Sequence, residues 1–551
     1  MNIVKVGQKY GEIKRIVEII QILFKYGLED IFDKNALAQK FNISPTTKED
    51  KKNKEIITPE KVRMALEELG PAFVKLGQLL STRPDIIPAN YIIELQKLQD
   101  HVASFSYQEV KTQVHNSLGD TIENKFKSFD HVPVAAASIA QVHIAVLPDG
   151  TKVAVKVKRP NIEKVILADT EIIMELAQFI KNNEMVNESW RPTELAEEFK
   201  NSIQQELDFS NEINNQNKFY NNFLEEKSVK IPKIFLDYSK KDIITMEYLQ
   251  GTKLQKIIRS KGNTNLKKQI ASIGAHAILK QIFIDHFFHG DLHPGNLFWI
   301  ANERKLGFID FGLVGMVNQD ELKALTMMLM GVTENDATKL TLGIEGLGII
   351  DTSDQSAKLK NRIEKMLAKY FDSKLEEIQM SIFIKEIFDI MHDLQIRFPV
   401  DLVVLAKSLI SVEGFATELD PNFNMFTFCR PYIELALENQ YDLKHIKSDL
   451  ENTFFQSTRF IKGLPNDLYW ILKRVKNNNF KIKLEHLHLQ KLLNGIEIVG
   501  NRVSFSLIVA ALIIGSSYVI PYYRGLGLFG YIMASLLGIG LLISMFKKNK
   551  L

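Results

Sequence analysis

One cysteine, Cys429, stands in the whole chain. A lone thiol forms no intrachain disulfide and builds no multi-cysteine metal centre, which excludes disulfide-stapled scaffolds and Cys-ligated zinc modules and fits a reducing compartment. An excess of charge of one sign is also missing: 69 Lys and Arg against 66 Asp and Glu leave a net charge of +3, which gives no basis for nucleic acid as a partner. The N-terminus lacks the uninterrupted apolar core of a signal peptide. Instead Ile16, Ile19, Ile20, Leu23 and Phe24 recur at helical spacing, the pattern of an amphipathic helix that packs on the body of the protein or lies on a membrane surface. No Gly-x-Gly-x-x-Gly with its acidic partner is found, so a dinucleotide-binding oxidoreductase has no support.

What the chain does have is length, changes of period and two uncharged runs. At 551 residues it exceeds a single hydrophobic core. Residues 1–57 read as a helical region and linker, ending in the polar stretch 45–60. Residues 58–124 read as a helical extension, with helices over Val62–Leu80 and Tyr91–Gln99. From 125 to 250 strand-like segments Val142–Val146 and Lys152–Lys158 flank the turn Pro148-Asp149-Gly150, and Val229–Phe235 and Ile243–Tyr248 follow helices Leu167–Lys181 and Pro192–Phe223. Residues 251–435 are helical apart from short strands at Leu297–Ile300 and Gly307–Ile309, and 436–501 form a basic connector carrying Lys473, Arg474, Lys476, Lys481 and Lys483. In 502–551 the runs Val503–Tyr523 and Leu526–Phe546 lack charge. Their length suits two membrane crossings. Arg502, Lys547, Lys548 and Lys550 at the outer ends would keep both termini in the cytoplasm. The expectation is an α+β, bilobal protein-kinase-like fold with a C-terminal transmembrane helical hairpin in the inner (cytoplasmic) membrane.

Phosphoryl transfer needs donors for phosphate oxygens, carboxylates for Mg²⁺ and a positioned group at the acceptor. The donors come first. Ala135, Ala136, Ala137, Ser138, Ile139 and Ala140 stand where a kinase has its Gly-rich loop; alanine keeps the N–H but disfavours positive φ, so the loop should be stiffer. Val153-Ala-Val-Lys156 resembles the strand motif whose lysine contacts the α- and β-phosphates. A lysine in an apolar strand needs a partner, and Glu212 is the candidate. His289-Gly-Asp291-Leu-His-Pro-Gly-Asn296 has the kinase catalytic-loop spacing. Asp291 would orient the acceptor or take its proton, and Asn296 and Asp310, the latter in Asp310-Phe-Gly312, would hold the metal. A zinc cluster of His286, His289 and His293 is the competing reading, against which Pro294 and Gly295 break any continuous helix.

Lys75-Leu-Gly-Gln78, the loop AAASIAQVH, Glu206-Leu-Asp208, and HGDLHPGN with DFG together resemble the UbiB/AarF family of atypical kinase-like proteins, over roughly residues 60–320. The resemblance implies that the extension carrying Lys75 and Gln78 folds over the cleft, where a protein kinase admits its peptide. It further implies that Glu206 and Asp208 form the ExD motif with Glu206 pairing Lys75, and that Met246–Leu249 is the hinge to adenine, with Glu247 and Leu249 among the ATP-binding residues. ATP/ADP and Mg²⁺ are the implied cofactors. Implied partners are polyprenyl quinone precursors or other isoprenoid lipids, membrane lipids and quinone-biosynthesis enzymes. Three functions follow: an ATPase supporting coenzyme Q biosynthesis, a small-molecule or lipid phosphotransferase, and a non-catalytic nucleotide-binding scaffold. No APE segment follows Gly312, which speaks against a protein kinase.

Overall fold

The computed structural model describes residues 3–27, 58–83, 86–98, 104–182, 191–350, 352–370, 378–440 and 489–547. The linker 45–57, the helix stop at Pro84-Asp85 and the basic residues of 442–488 lie outside the described residues. The chain falls into two compact units, Met1–Ile446 and Lys447–Leu551.

The first unit opens with α1 (Ile3–Lys25), which buries Ile16, Ile19 and Ile20 against the body. Its Arg15 pairs with Asp169 at 2.9 Å, so the packing alternative holds for this helix. The single helix expected over Val62–Leu80 is two, α2 (Pro59–Leu69) and α3 (Pro71–Leu80). Gly70 at φ 99° breaks it, because the residue before a proline is driven from the α region and Pro71 has no N–H to continue the ladder. Helices α4 (Ala89–Leu95), α5 (Tyr107–Leu118) and α6 (Ile122–Lys125) follow.

The first sheet runs β1-β3-β4-β6, with β2 paired to β3: β1 (Ser128–Phe129), β2 (Ala135–Ala136), β3 (Ala140–Val146), β4 (Lys152–Lys158) and β6 (Ile243–Glu247). Gly150, at φ 91°, makes the β3–β4 turn. Period-two alternation decides the faces of β4. Val153, Val155 and Val157 enter a core with Val110 and Val114 of α5, while Ala154 packs in the opposite core. Helices α7 (Ile162–Asn182), α8 (Pro192–Leu207) and α9 (Phe209–Asn222) lie between β4 and β6 in sequence. The expected helix 192–223 breaks at Asp208, which leaves the α region at ψ 100° and caps α9 by accepting from the Ser210 N–H at 2.9 Å.

Strand β5 is only Val229–Lys230, since Pro232 cannot donate to a ladder; it runs parallel to β10 in a second sheet, β5-β10-β9-β7. That sheet comprises β7 (Thr252–Lys253), β9 (Leu297–Ile300) and β10 (Lys305–Phe308). A two-stranded ribbon pairs β8 (Phe287–His289) with β11 (Val314–Met316). The large half is helical: α10 (Leu254–Arg259), α11 (Thr264–Phe283), α12 (Gln319–Thr333), α13 (Ala337–Glu345), α14 (Ser353–Ala368), α15 (Met380–Asp393), α16 (Val400–Leu419) and α17 (Met425–Gln440), around one core.

The second unit holds α18 (Leu489–Val519) and α19 (Arg524–Lys547). They pack closely where Gly530 faces Ser516 and where Ser517 Oγ lies 2.5 Å from Tyr531 Oη. The transmembrane expectation is corrected here: among the described residues no helix is long and apolar enough to cross a membrane. The uncharged run extends to Tyr523, but α18 ends at Val519, ahead of Pro521. From Val503 to that end an uncharged helix spans about 25 Å, short of the ~30 Å hydrocarbon core. Neither the hairpin as a pair of membrane spans nor the inner-membrane location inferred from it stands.

Candidate active site

The β8–β11 ribbon brings the two acidic motifs together. Its register sets His289 opposite Val314. Two backbone bonds tighten the junction: the Gly290 N–H donates to Leu313 O at 2.8 Å, and the Ile309 N–H donates to Asn296 O at 3.0 Å. A Cβ on Gly290 would lie 2.7 Å from both Leu313 Cγ and Val404 Cγ1, so glycine is needed here for close approach. His289 is fully buried. Its Nδ1 accepts from the Asp291 N–H at 3.0 Å and its Nε2 donates to Ile309 O at 3.3 Å. Burial pushes its pKa down and keeps the ring neutral.

Phe311 is buried against the rings of Phe219 and His289, with centroids 5.1 and 5.3 Å away. This anchors the DFG segment and leaves Asp310 at φ 63°, in the left-handed region that non-glycine residues seldom adopt. Asp310 Oδ1 accepts from the Gly312 N–H at 3.3 Å and lies 3.9 Å from Lys156 Nζ. The charge of Lys156 holds the Asp310 carboxyl below the ordinary carboxylate range, against the effect of burial, and Lys75 adds to the same effect.

Lys156 projects from β4 to the first turn of α9, where Nζ meets the two Glu212 oxygens at 2.8 and 2.7 Å. Burial would lower the ammonium pKa, but Glu212 and then Asp310 reverse that and raise it. On α3, Lys75 pairs with Glu206 of α8 at 2.5 Å, and Gln78 donates to Leu98 O at 3.2 Å. Asp208 is committed to capping α9. The loop before β3 turns through a bond from the Ala137 N–H to Ala140 O at 2.8 Å. None of Ala135, Ala136, Ala137, Ser138, Ile139 and Ala140 has positive φ, so this turn does not require glycine. Ser138, Ile139 and Ala140 are buried. At the end of β6, Glu247 pairs with Lys230 at 2.8 Å, while Leu249 is buried beneath Gly307.

Asn296 donates from Nδ2 to Asp291 O at 3.1 Å, which fixes its amide and leaves the amide oxygen as an acceptor. Together with the Asp310 carboxylate this is a pair of hard oxygen donors. Such a set fits Mg²⁺ carried on a nucleotide, where phosphates and water complete the octahedron. No group of three or more His, Cys, Asp or Glu that could hold a metal occurs among the described residues, so the zinc reading of His286, His289 and His293 has no geometry behind it.

Sequence reasoning passed over one residue of the site. Lys407, on α16, donates to Asp291 Oδ1 at 2.8 Å. Burial would raise the Asp291 pKa; Lys407 and His293 outweigh it and hold the carboxyl below the ordinary range. The same helix grips the loop backbone through Ser408 Oγ to His289 O at 2.9 Å and Ser411 Oγ to Leu292 O at 3.0 Å. A single lysine beside a serine in an otherwise apolar stretch gives no partner signal in one sequence.

Residues 97–342 match the family model of the ABC1 atypical kinase-like domain, 363–424 that of the UbiB helical domain, and 487–547 that of the ABC1/UbiB kinase-like C-terminal domain. A Clostridium pasteurianum protein, described as an uncharacterized protein in the hydrogenase 1 5′ region, is 32% identical over 98% of this chain and 100% of its own. A probable protein kinase UbiB of Aeromonas hydrophila is 30% identical over 85% of this chain and 86% of its own. A solved structure, that of a Mycobacterium tuberculosis protein in complex with erythromycin, aligns with a TM-score of 0.46 at 23% identity, over 67% of this chain and 93% of that one.

Proposed function

The chain belongs to the ABC1/UbiB family of kinase-like proteins, and on that premise we propose that it is a Mg²⁺-dependent ATPase whose ATP use is coupled to handling polyprenyl precursors in isoprenoid-quinone biosynthesis. The observation that supports this reading best is the position of Lys156, an ammonium held between Glu212 and Asp310. A buried cation between two carboxylates of separate elements suits the α- and β-phosphates on one side and a metal ligand on the other. Asn296 and Asp310 would hold Mg²⁺, which when bound neutralises charge on the β- and γ-phosphates. The turn Ala135–Ala140 offers backbone N–H groups to the phosphates. Asp291, ionised beside Lys407, would orient a water or an acceptor hydroxyl. Glu247 and Leu249, at the end of β6, would contribute backbone groups to adenine.

Lys75 and Gln78 sit on α3, and the Lys75 charge reaches Asp310. On this reading α3 would stand near the phosphoryl end, where a peptide acceptor would otherwise enter. A lipid or water is the better-suited acceptor. The test is phosphate release by purified protein with Mg²⁺ and ATP, with and without a polyprenyl phenol. Asp310→Asn should lower kcat by at least about 100-fold; turnover that survives this change refutes the reading.

A phosphotransferase acting on a small hydroxyl compound is the second reading. It is favoured by Asp291 Oδ2, which lies 3.7 Å from His293 Nε2 in a carboxylate only partly covered. Mass-spectrometric detection of a phosphorylated acceptor after incubation with labelled ATP would support it; free phosphate alone counts against it.

A further inference from the structure

The contact between Lys407 and Asp291 has no counterpart within the HGDLHPGN loop itself. Asp291 is followed by Leu292 and His293, and His293 Nε2 stays 3.7 Å from Oδ2. The ammonium that meets the carboxylate at hydrogen-bond distance comes from α16, 116 residues along the chain. We propose that Lys407 is a positioning residue of the phosphoryl-transfer centre, holding Asp291 by Oδ1 so that Oδ2 faces the attacking water. This rests on the ATPase reading above.

Three observations carry it. The Lys407 ammonium takes one carboxylate oxygen at 2.8 Å and leaves the other without a hydrogen bond from it. The neighbours of Lys407 on α16 lock the loop backbone on either side of Asp291: Ser408 bonds the carbonyl of His289, and Ser411 bonds that of Leu292. Lys407 and Asp291 are each about a third exposed. The pair is therefore partly open to solvent, and its loss would not undock the helix, because those two serine bonds and the apolar face with Leu402, Leu405 and Ala406 remain. A residue placed to hold the helix would point into that core; Lys407 points out of it.

In the reaction a water oxygen forms a bond to Pγ as the bond from Pγ to the β,γ-bridging oxygen breaks. The electron pair leaves on ADP, and the water proton passes to Asp291 Oδ2 and on to solvent. Lys407 keeps its protons throughout. Its contribution is orientation, which is realised in the transition state more than in the bound substrate.

The experiment uses the full chain and two kinds of readout: steady-state phosphate release, and equilibrium binding of ATP and of ADP with aluminium fluoride as a transition-state mimic. Lys407→Met should lower kcat by about 100-fold. It should weaken the aluminium fluoride complex by a similar factor while ATP affinity changes by less than about threefold. Lys407→Arg, which keeps a cation, should hold kcat within about tenfold of wild type. If Lys407→Met does not fold, Lys407→Arg and Lys407→Gln decide by the same comparison. A kcat for Lys407→Met within about threefold of wild type, or an equal loss of ATP and mimic binding, overturns the inference. Absent turnover in the wild type sinks the ATPase reading and the inference together, whereas wild-type turnover with an unaffected Lys407→Met sinks the inference alone.

Discussion

Lys156 Nζ meets the two carboxylate oxygens of Glu212 at 2.8 and 2.7 Å, across the gap between β4 and α9. Both side chains are largely removed from water, with 16% and 7% of their surface exposed. A paired charge in such a place contributes little net stability, but removing one partner strands the other, at a cost of about 3–5 kcal/mol. Glu212→Ala should therefore lower the unfolding free energy by about 3 kcal/mol, read from urea denaturation. Lys156→Met with Glu212→Leu should recover most of that while phosphate release stays absent. A double variant as unstable as the single one would show that the pair itself holds the small lobe together.

What the sequence disclosed about this site follows the distance along the chain over which each part is written. Asp291 and Asn296 lie on one loop, and Asp310 is carried back to them by the short β8–β11 ribbon, so spacing alone was enough to group all three as one candidate site. Lys156 was legible because an ammonium inside Val153–Val157 demands a partner. Lys407 was not, because its contact with Asp291 depends on how α16 docks and periodicity does not encode docking. The same limit explains the helix breaks. Apolar spacing runs unbroken across Gly70-Pro71 and across Asp208, and backbone chemistry at single residues overrides it. At the C-terminus absence of charge does not fix a span: the uncharged part of α18 stops at Val519, and among the described residues no helix is long and apolar enough to cross a membrane.

His143, on β3, gives the small lobe a pH dependence. It is fully buried, with Nδ1 donating to Asp130 O at 2.7 Å and Nε2 2.9 Å from Gln141 Nε2. The Gln141 amide is locked in turn, its Oε1 accepting from the Phe105 N–H at 3.0 Å. An amide N–H facing the ring requires a neutral acceptor nitrogen there, and burial pushes the His143 pKa down. The unfolded ring takes up its proton near pH 6.5, and the folded one only at lower pH. Between those two values the unfolded state binds more protons, so stability is full above about pH 6.5 and falls as pH drops below it. Urea midpoints at about pH 7.5 and about pH 5.5 should differ for wild type by more than for His143→Phe. Equal differences would place the acid sensitivity elsewhere.

Cys429 reports on the opposite lobe. Its thiol is buried on α17 among Leu279, Phe283, Met380 and Phe426, beside an apolar cavity of about 100 Å³. Burial, reinforced by Glu413, pushes its pKa up to about 12. Reaction with a disulfide reagent needs both access and thiolate, and the folded chain withholds both. At about pH 8 the native thiol should label at least about 1,000-fold more slowly than the thiol of the urea-unfolded chain, at a rate set by the opening of the α15–α17 packing. The unfolded thiol ionises near pH 8.5 while the folded one stays protonated, so the folded state binds more protons there and stability falls as pH rises past that value. Cys429→Ala removes this alkaline slope and the labelling together. If wild type labels at the rate of the unfolded chain while its circular dichroism stays native, the helical core around α17 opens far more readily than its packing implies.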